Sequence, residues 1–187
     1  MSQATDDELM LAYAAGDAAA FDQLYERYRQ PLYRYLLHAV GERALADDLY
    51  QDVWSRIIHA RDGFERGNGF KRWAFRIAHN RLVDHWRKLD RQATDAAEGM
   101  DHLASDERGQ PDSQAEKDED ARRLRDALMQ LPRDQRQAFL LQQEAGLSLA
   151  DIAEQDGVGR ETIKSRLRYA VAKLRTALGP AREASGP

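Results

Sequence analysis

The segment Phe70–Leu89 (FKRWAFRIAHNRLVDHWRKL) combines residue types that contact nucleic acids with the spacing of a helix. At about 100° per residue, most of its apolar side chains fall on one broad face, as packing against a core requires. The opposite face carries Arg72, Arg76, Asn80 and Arg87. Arginine neutralises phosphate, asparagine pairs with base edges, and nearby aromatic rings can stack on an unpaired base. The pattern indicates a nucleic-acid-binding helix; a solvated amphipathic helix whose aromatic residues are all core is the alternative.

A second basic segment, Ser148–Arg175 (SLADIAEQDGVGRETIKSRLRYAVAKLR), has the pattern of a helix-turn-helix. Ala153 is small where two helices would cross, and Gly157 can adopt the positive φ that the turn between them needs. Basic and polar side chains then follow in the first half of the next helix, the half that enters a major groove. We expect the outward-facing side chains to be Arg160, Glu161, Lys164, Ser165 and Arg168. An ordinary helical hairpin with a basic surface is the alternative.

Charge is distributed unevenly along the chain, whose formal net charge of −4 is unusual for a nucleic-acid-binding protein. Residues 64–91 contain eight basic and three acidic residues, a net of +5, and residues 160–178 contain six and one, also +5. Residues 92–120 contain two basic and ten acidic residues, a net of −8. Because the distribution matters more than the sum, we predict two cationic surfaces separated by an acidic segment.

Composition excludes several classes of protein. The chain has 187 residues, of which 42% are hydrophobic and 32% charged, and its sequence has no apolar run long enough to span a bilayer. The N-terminal residues are acidic and polar, unlike a secretory signal. The absence of cysteine excludes disulfides, thiolate zinc sites and cysteine nucleophiles, and fits a reducing compartment. We therefore predict a cytoplasmic protein without membrane insertion.

No pattern in the sequence indicates an enzyme. His79 and His85 are six residues apart, so one helix face cannot present both to a metal ion. Asp47, Asp48 and Asp52 could form an oxygen site, but on one helix they favour a polar docking surface. The glycines of the loop before Phe70 do not match a phosphate-binding loop, and no nucleophile–base pair is visible. We expect no catalytic site, no metal and no cofactor.

Helical periodicity and the absence of period-two alternation predict an all-α fold. Thr5 and Glu8 have the spacing of a capping box at the start of a first helix. Pro31 is expected to open a separate third helix, because proline fits the first helical turn. Two small helical domains joined by an acidic flexible linker are expected, with these bounds: 1–91, linker 92–117, a helix-turn-helix domain 118–180 and a tail 181–187.

The whole layout resembles the bacterial sigma factors of the sigma-70 family, and within it the extracytoplasmic-function (ECF) group. The resemblance covers about residues 9–178, and its more specific parts are Ala44–Ile57, Gly69–Lys88 and Leu128–Arg175. Two residues depart from the family pattern. Ala74 stands where a bulkier apolar residue often follows the tryptophan, and Asp84 lies on the predicted DNA-facing side, which bears on base choice.

The resemblance implies three binding surfaces. One helix would dock on the clamp helices of the polymerase β′ subunit through Asp47, Asp48, Gln51, Asp52 and Trp54. The loop 65–69 and the helix after it would open and recognise the minus-ten promoter element through Arg66, Asn68, Lys71, Arg72, Trp73, Arg76, Asn80, Arg81 and Arg87. The last helix would contact the minus-thirty-five element through Arg160, Glu161, Thr162, Lys164, Ser165, Arg168 and Tyr169.

The partners that the resemblance implies are the bacterial RNA polymerase core (β′ clamp and β flap), promoter DNA and an anti-sigma factor, with a monomer in the free state. The linker would thread the polymerase channels. Since its acidity disfavours stray DNA contacts, we expect the isolated chain to bind promoter duplex weakly. One alternative is a stand-alone helix-turn-helix regulator with an N-terminal sensing or dimerisation domain; another is a helical adaptor or anti-sigma-like protein.

Overall fold

The computed structural model describes residues 4–98 and 117–179, and all regular structure in these ranges is helical. The all-α prediction is therefore confirmed. The helices are α1 (Asp6–Ala14), α2 (Ala18–Val40), α3 (Arg43–His59), α4 (Phe70–Glu98), α5 (Lys117–Met129), α6 (Arg133–Gln143), α7 (Leu149–Asp156) and α8 (Arg160–Leu178). A short 3-10 turn, Arg61–Gly63, precedes the loop 65–69. Residues 99–116 of the predicted linker and the predicted tail lie outside the described residues.

Helices α1–α4 form the N-terminal domain around α2, which contacts the other three. The predicted capping box of α1 is present, because Thr5 and Glu8 bond each other's backbone amides. Leu24, Tyr35 and Phe75 are among the large side chains that are fully buried between the helices. Burial of such side chains supplies about 1.5–3 kcal/mol each, so this core holds α3 and α4 in fixed positions.

Helices α5–α8 form the C-terminal domain, in which α7 and α8 are the predicted helix-turn-helix. Ser148 caps α7 in a capping box with Asp151. Gly157 ends α7 with φ of 67°, the left-handed conformation that a side chain would strain. Ile163 and Leu167 of α8 are buried. One side of α8 is therefore packed in the domain core, and its opposite side is exposed to solvent.

Pro31 does not separate two helices, as the sequence had suggested. It lies inside the continuous helix α2, from Ala18 to Val40. Proline lacks the N–H that would bond the carbonyl four residues earlier, so the helix loses one hydrogen bond there. The buried stripe of Tyr28, Leu32 and Tyr35 runs through this position at helical spacing. Burial of that stripe outweighs the missing bond and keeps α2 unbroken.

Part of the predicted linker is also helical. Helix α4 continues through residues 92–98, although the extended linker was expected to begin at Gln92. Residues 91–95 are exposed, so packing does not explain the extension. Ala93, Ala96 and Ala97 have high helix propensity, and they continue a helix whose costly nucleation is already complete.

The two domains pack on each other in what we call the closed arrangement. Helix α2 contacts both α5 and α6, and the buried apolar residues of both domains form one continuous cluster. Charged side chains surround this contact. Glu144, at the end of α6, lies 3.0 Å from the Arg34 guanidinium and 3.1 Å from His38 Nδ1 of α2. Arg133 of α6 contacts Asp90 of α4 at 2.9 Å.

Candidate nucleic-acid interface

The polar ridge of α4 forms as the periodicity predicted, on the side opposite the core. Ala74, Phe75 and Ala78 are buried, whereas Asn80 and Arg87 are exposed. Arg72 and Arg76 lie on the same ridge and are half-buried. The reason they are half-buried is contact with the other domain, which the helix periodicity gave no means of predicting.

Trp73 of α4 is held by an aromatic cluster. Its ring centroid lies 5.3 Å from that of Phe64 and 6.0 Å from that of Phe70, and both phenylalanines are buried. Trp73 itself is half-buried. The indole is therefore fixed in orientation with part of its surface open to solvent, which suits stacking on an unpaired base.

The loop 65–69 lies beside Trp73 and leads into α4. Arg66 is exposed, and the carbonyl of Asn68 accepts a hydrogen bond from Nε of Arg72 at 3.1 Å. Lys71, in the first turn of α4, is exposed. These residues form one continuous surface with the N-terminal half of the ridge.

Arg81 connects two of the predicted sites. Its guanidinium bonds the carboxylate of Asp52 on α3, which also accepts from Nε of Arg56 at 3.2 Å. Arg81 was assigned to the DNA surface and Asp52 to the polymerase surface. In this structure they neutralise each other at the boundary between α3 and α4.

The polar residues predicted to dock on the polymerase are solvent-exposed or half-buried on α3, whereas the tryptophan predicted with them is buried. Asp47, Asp48 and Gln51 are exposed, and Asp47 accepts a hydrogen bond from the Tyr33 hydroxyl at 2.8 Å. Trp54 is buried, with 6% of its surface accessible. Its ring packs against the rings of Phe21, Tyr25 and Tyr50. Trp54 therefore packs α3 against the aromatic residues of the core and helps to fix the position of this helix.

Helix α8 presents its first half to solvent. Ser165 is half-buried, and the other residues that the resemblance assigned to this surface are exposed: Arg160, Glu161, Thr162, Lys164, Arg168 and Tyr169. The guanidinium of Arg168 lies 5.2 Å from the centre of the Tyr169 ring. Arg166 points inward instead and pairs with Asp156 at 2.8 Å and Asp134 at 3.0 Å. This ion pairing ties α8 to α7 and α6.

Carboxylates of α7 contact the ridge of α4 in the closed arrangement. Arg76 lies 3.1 Å from Glu154, and Arg72 lies 3.4 Å from Asp151 and 3.9 Å from Glu154. Sequence analysis missed these contacts. The sequence shows only that Asp151 and Glu154 are three residues apart on α7 and that Arg72 and Arg76 are four apart on α4, so each pair lies on one helix face.

A buried polar cluster lies behind these ion pairs. The Tyr35 hydroxyl donates to Gln137 of α6 and lies 3.4 Å from Nδ1 of His79, while Nε2 of His79 lies 3.5 Å from Asp156. Burial lowers the pKa of His79, although the nearby Asp156 carboxylate opposes this shift. Burial raises the pKa of Asp156, against the effects of His79 and Arg166. Low-dielectric surroundings therefore oppose charge on both groups.

The described residues offer neither a metal site nor a membrane-spanning helix. Within residues 4–98 and 117–179, no group of three or more His, Asp or Glu side chains could hold a metal ion. In the same ranges, none of the helices is long and apolar enough to cross a membrane.

Comparison with known proteins places both domains in one family. The model of Sigma-70 region 2 matches residues 24–92, and that of Sigma-70, region 4 matches residues 121–174. The ECF RNA polymerase sigma factor SigM of Mycobacterium tuberculosis is 32% identical over 175 residues, which are 94% of this chain and 85% of SigM. RNA polymerase sigma factor CarQ of Myxococcus xanthus is 31% identical over 176 residues, covering 91% and 95% of the two chains.

Solved structures extend the similarity across both domains. The sigma factor RpoE, in complex with the anti-sigma factor NepR from Bartonella quintana, matches with a TM-score of 0.67 and 28% identity, covering 87% of this chain and 98% of RpoE. CnrH, in complex with the cytosolic domain of CnrY, matches with a TM-score of 0.67 and 25% identity, covering 92% and 96%. From the family models and the relatives together, this chain belongs to the sigma-70 family and to its ECF group.

Proposed function

We propose that this ECF sigma factor binds the bacterial RNA polymerase core through α3 and directs it to promoters through two separate DNA surfaces. The observation that supports the proposal is an exposed basic surface on each domain, in the order of the two matched sigma-70 regions. One is the loop 65–69 with α4, and the other is the first half of α8. Two tethered surfaces multiply specificity when both sites are engaged at once.

The first surface suits recognition of an unpaired minus-ten strand. Arg66, Lys71 and Asn80 are exposed side chains that can contact phosphates and base edges. Trp73 offers a fixed ring for stacking, worth about 1–3 kcal/mol per base. Binding to extruded bases stabilises an open duplex, so this surface would promote DNA opening as well as recognition.

The second surface suits a double-stranded minus-thirty-five element. Helix α8 follows the left-handed turn at Gly157 and exposes its N-terminal side chains, as a recognition helix does in a major groove. Arg160, Lys164 and Arg168 can contact guanine edges or phosphates. Their exposure in the closed arrangement leaves this surface open before the first surface is released.

The exposed acids of α3 are the proposed docking site for the β′ clamp. Asp48 and Gln51 are exposed beside Asp47, whereas Asp52 is shared by two arginines. We propose that Asp47, Asp48 and Gln51 make the direct contacts. Asp52 and Trp54 would then fix the orientation of α3 rather than meet the partner first. Contact of the C-terminal domain with the β flap completes the proposed docking.

An anti-sigma factor is a further proposed partner. The matched structure of RpoE contains the anti-sigma factor NepR, and the similarity spans both domains of this chain. In the closed arrangement, α7 already covers the Arg72 and Arg76 side of α4. An anti-sigma factor that held the domains together would keep this surface covered. We propose a cytoplasmic monomer as the free state.

Run-off transcription tests the proposal directly. Core polymerase with and without the protein would transcribe a pool of promoter fragments, and we expect new discrete transcripts that require the protein. Aligning their start sites would identify both promoter elements. Asp48→Lys should lower core binding at least tenfold and reduce these transcripts in parallel. If core polymerase neither binds the wild-type chain nor starts new transcripts, the proposed function is wrong.

The free chain should bind promoter duplex weakly, because α7 occupies two of its arginines and the acidic segment repels DNA. Nanomolar binding without polymerase at physiological salt would contradict this. A stand-alone regulator would instead form a dimer on a palindromic site. The match to both sigma-70 regions does not favour that alternative.

A further inference from the structure

The loop 65–69 has little local means of holding its shape. Gly67 and Gly69 adopt φ of 89° and 72°, in the left-handed region that favours glycine. Gly69 also precedes the first residue of α4, so no side chain at this position can cap the helix. Glu65, Arg66 and Gly67 are exposed. The Asn68 amide bonds the Glu65 carbonyl at 3.2 Å within the loop, whereas the Gly67, Gly69 and Phe70 amides bond a group outside it.

That group is the carboxylate of Asp7, in the first turn of α1. Its Oδ1 accepts from the amide of Phe70 at 2.7 Å. Its Oδ2 accepts from the amides of Gly67 at 3.0 Å and Gly69 at 3.4 Å. One side chain, about sixty residues away in the sequence, thus caps α4 and binds both left-handed glycines. A negative charge at a helix N-terminus is also favoured by the helix dipole.

Helix α1 is itself anchored independently of the loop. Leu9 and Met10 are buried in the N-terminal core. The neighbouring carboxylate of Asp6 bonds Arg27 at 2.6 Å and also the hydroxyl of Tyr28. The Tyr28 ring packs against Phe70, the first residue of α4, with 5.0 Å between centroids. Asp7 is therefore held in place on one side of the loop, and Phe70 on the other.

We propose that Asp7 is a positioning residue for minus-ten recognition, acting through the loop backbone and not by touching DNA. By binding the amides of Gly67 and Gly69, it fixes the direction in which Arg66 and Asn68 project. Because the Asn68 carbonyl accepts from Arg72, the same restraint extends to the ridge of α4. This inference rests on the proposed function, since it specifies how one DNA surface of that function is built.

Because both oxygens of Asp7 accept hydrogen bonds, a substitution that removes one acceptor tests the contact. Asp7→Asn keeps the size of the side chain but leaves only one acceptor oxygen, so its NH2 group must face a backbone N–H on one side. Asp17→Asn is the matched control. Asp17 caps α2, and its Oδ1 accepts from both Ala19 and Ala20, so the amide oxygen can keep both bonds. Both variants lose one negative charge.

The first measurement is hydrogen exchange of individual amides in the full-length chain. We expect Asp7→Asn to reduce protection about tenfold on whichever side faces the NH2 group, either at the Phe70 amide or at the Gly67 and Gly69 amides, as the loss of a charge-assisted bond implies. Asp17→Asn should leave these three amides unchanged. Thermal unfolding of both variants checks that the fold is retained.

The second measurement uses holoenzyme assembled from core polymerase and each variant. The probe is a single-stranded oligonucleotide carrying the minus-ten element found by run-off transcription, together with its single-base variants. We expect Asp7→Asn to reduce discrimination between the best and substituted bases by roughly tenfold while core binding stays at the wild-type level. A merely structural role would lower affinity for core or for every oligonucleotide alike.

The outcomes separate the two proposals. If wild-type holoenzyme gives transcripts but Asp7→Asn discriminates between bases as well as Asp17→Asn does, the positioning role is wrong and the proposed function stands. Loss of core binding in parallel with DNA binding also overturns the positioning role. If the wild-type chain starts no transcripts, the proposed function fails first, and the positioning role fails with it.

Discussion

Charge reversal at Glu154 should loosen the closed arrangement and uncover the arginines of α4. Glu154 lies on α7, 3.1 Å from Arg76 and 3.9 Å from Arg72 across the domain boundary. Glu154→Lys would replace these attractions by repulsion between like charges. Because Glu154 is exposed and α7 is capped by Ser148, the substitution should leave the helix intact.

The expected loss of free energy of closure follows from the solvent exposure of Arg76 and Glu154. The side chains of Arg76 and Glu154 are 44% and 61% exposed, so solvent screens their attraction strongly. Such a pair contributes about 0.2–1 kcal/mol. The Arg72 contact is near the distance limit and adds little. Since like charges repel by a similar amount, reversal should cost about 0.4–2 kcal/mol, which shifts the ratio of closed to open molecules roughly 2–30-fold.

Energy transfer between two dyes can follow this shift. The chain contains no cysteine, so one cysteine introduced in each domain can be labelled without background. Glu154→Lys should lower the transfer efficiency and raise affinity for a labelled duplex. Asp126→Lys is the control, because it makes the same charge change at an exposed position of α5. A general gain in DNA attraction would appear equally in both variants.

Two results would refute the reasoning. The first is equal energy transfer in Glu154→Lys and Asp126→Lys. The second concerns the reciprocal pair: adding Arg76→Glu to Glu154→Lys should restore closure, and failure to do so would mean that these charges are not coupled. The difference between the variants should also shrink as salt rises, since screening weakens exposed pairs.

Three further predictions concern other contacts. Asp48→Lys should lower affinity for core polymerase at least tenfold in a pull-down titration. Asp22→Lys, the same charge change at an exposed position of α2, should not lower it. Equal losses of affinity in the two variants would exclude a specific role for α3. For Glu144, burial is outweighed by bonds from its partners on α2, so its pKa lies below the ordinary 4.5. Its contribution to closure is thus complete above that pH and is lost as the pH falls through the lowered value; the energy transfer of Glu144→Gln should start lower and change less on acidification. Gly157→Ala should cost about 1–2 kcal/mol in urea unfolding of the C-terminal domain because of its left-handed backbone, and Gly157→Asn should cost less.

Local patterns predicted the elements well because helix periodicity and caps are short-range properties. The capping box at Thr5 and the turn at Gly157 involve residues within a few positions of each other. The two errors had different causes. Pro31 carries a helix-breaking signal, yet the buried stripe of α2 runs through it. The predicted end of α4 near residue 91 depended on composition alone, and composition marks helix ends poorly.

The site was predictable as a set of residue types but not as a set of partners. Spacing placed Arg72 and Arg76 on one ridge, but it could not show that α7 would face them. Asp7 gave no signal beyond acidity near the N-terminus, because its contacts cross about sixty residues to reach the loop. Long-range pairing depends on how helices pack, and a single sequence records that only indirectly.

The closed arrangement has a chemistry that suits exchange with DNA. Asp151 and Glu154 offer carboxylates to the arginines that we propose face phosphates, and both groups are anionic acceptors that bind guanidinium. Release therefore replaces one set of charge-assisted bonds with another and leaves no guanidinium unpaired. Exposure of His79 and Asp156 to water would relieve the desolvation that burial imposes on both groups. We expect the buried apolar contact of α2 with α5 and α6, and not the exposed ion pairs, to set the cost of opening, so binding of polymerase to both domains must supply the free energy that separates them.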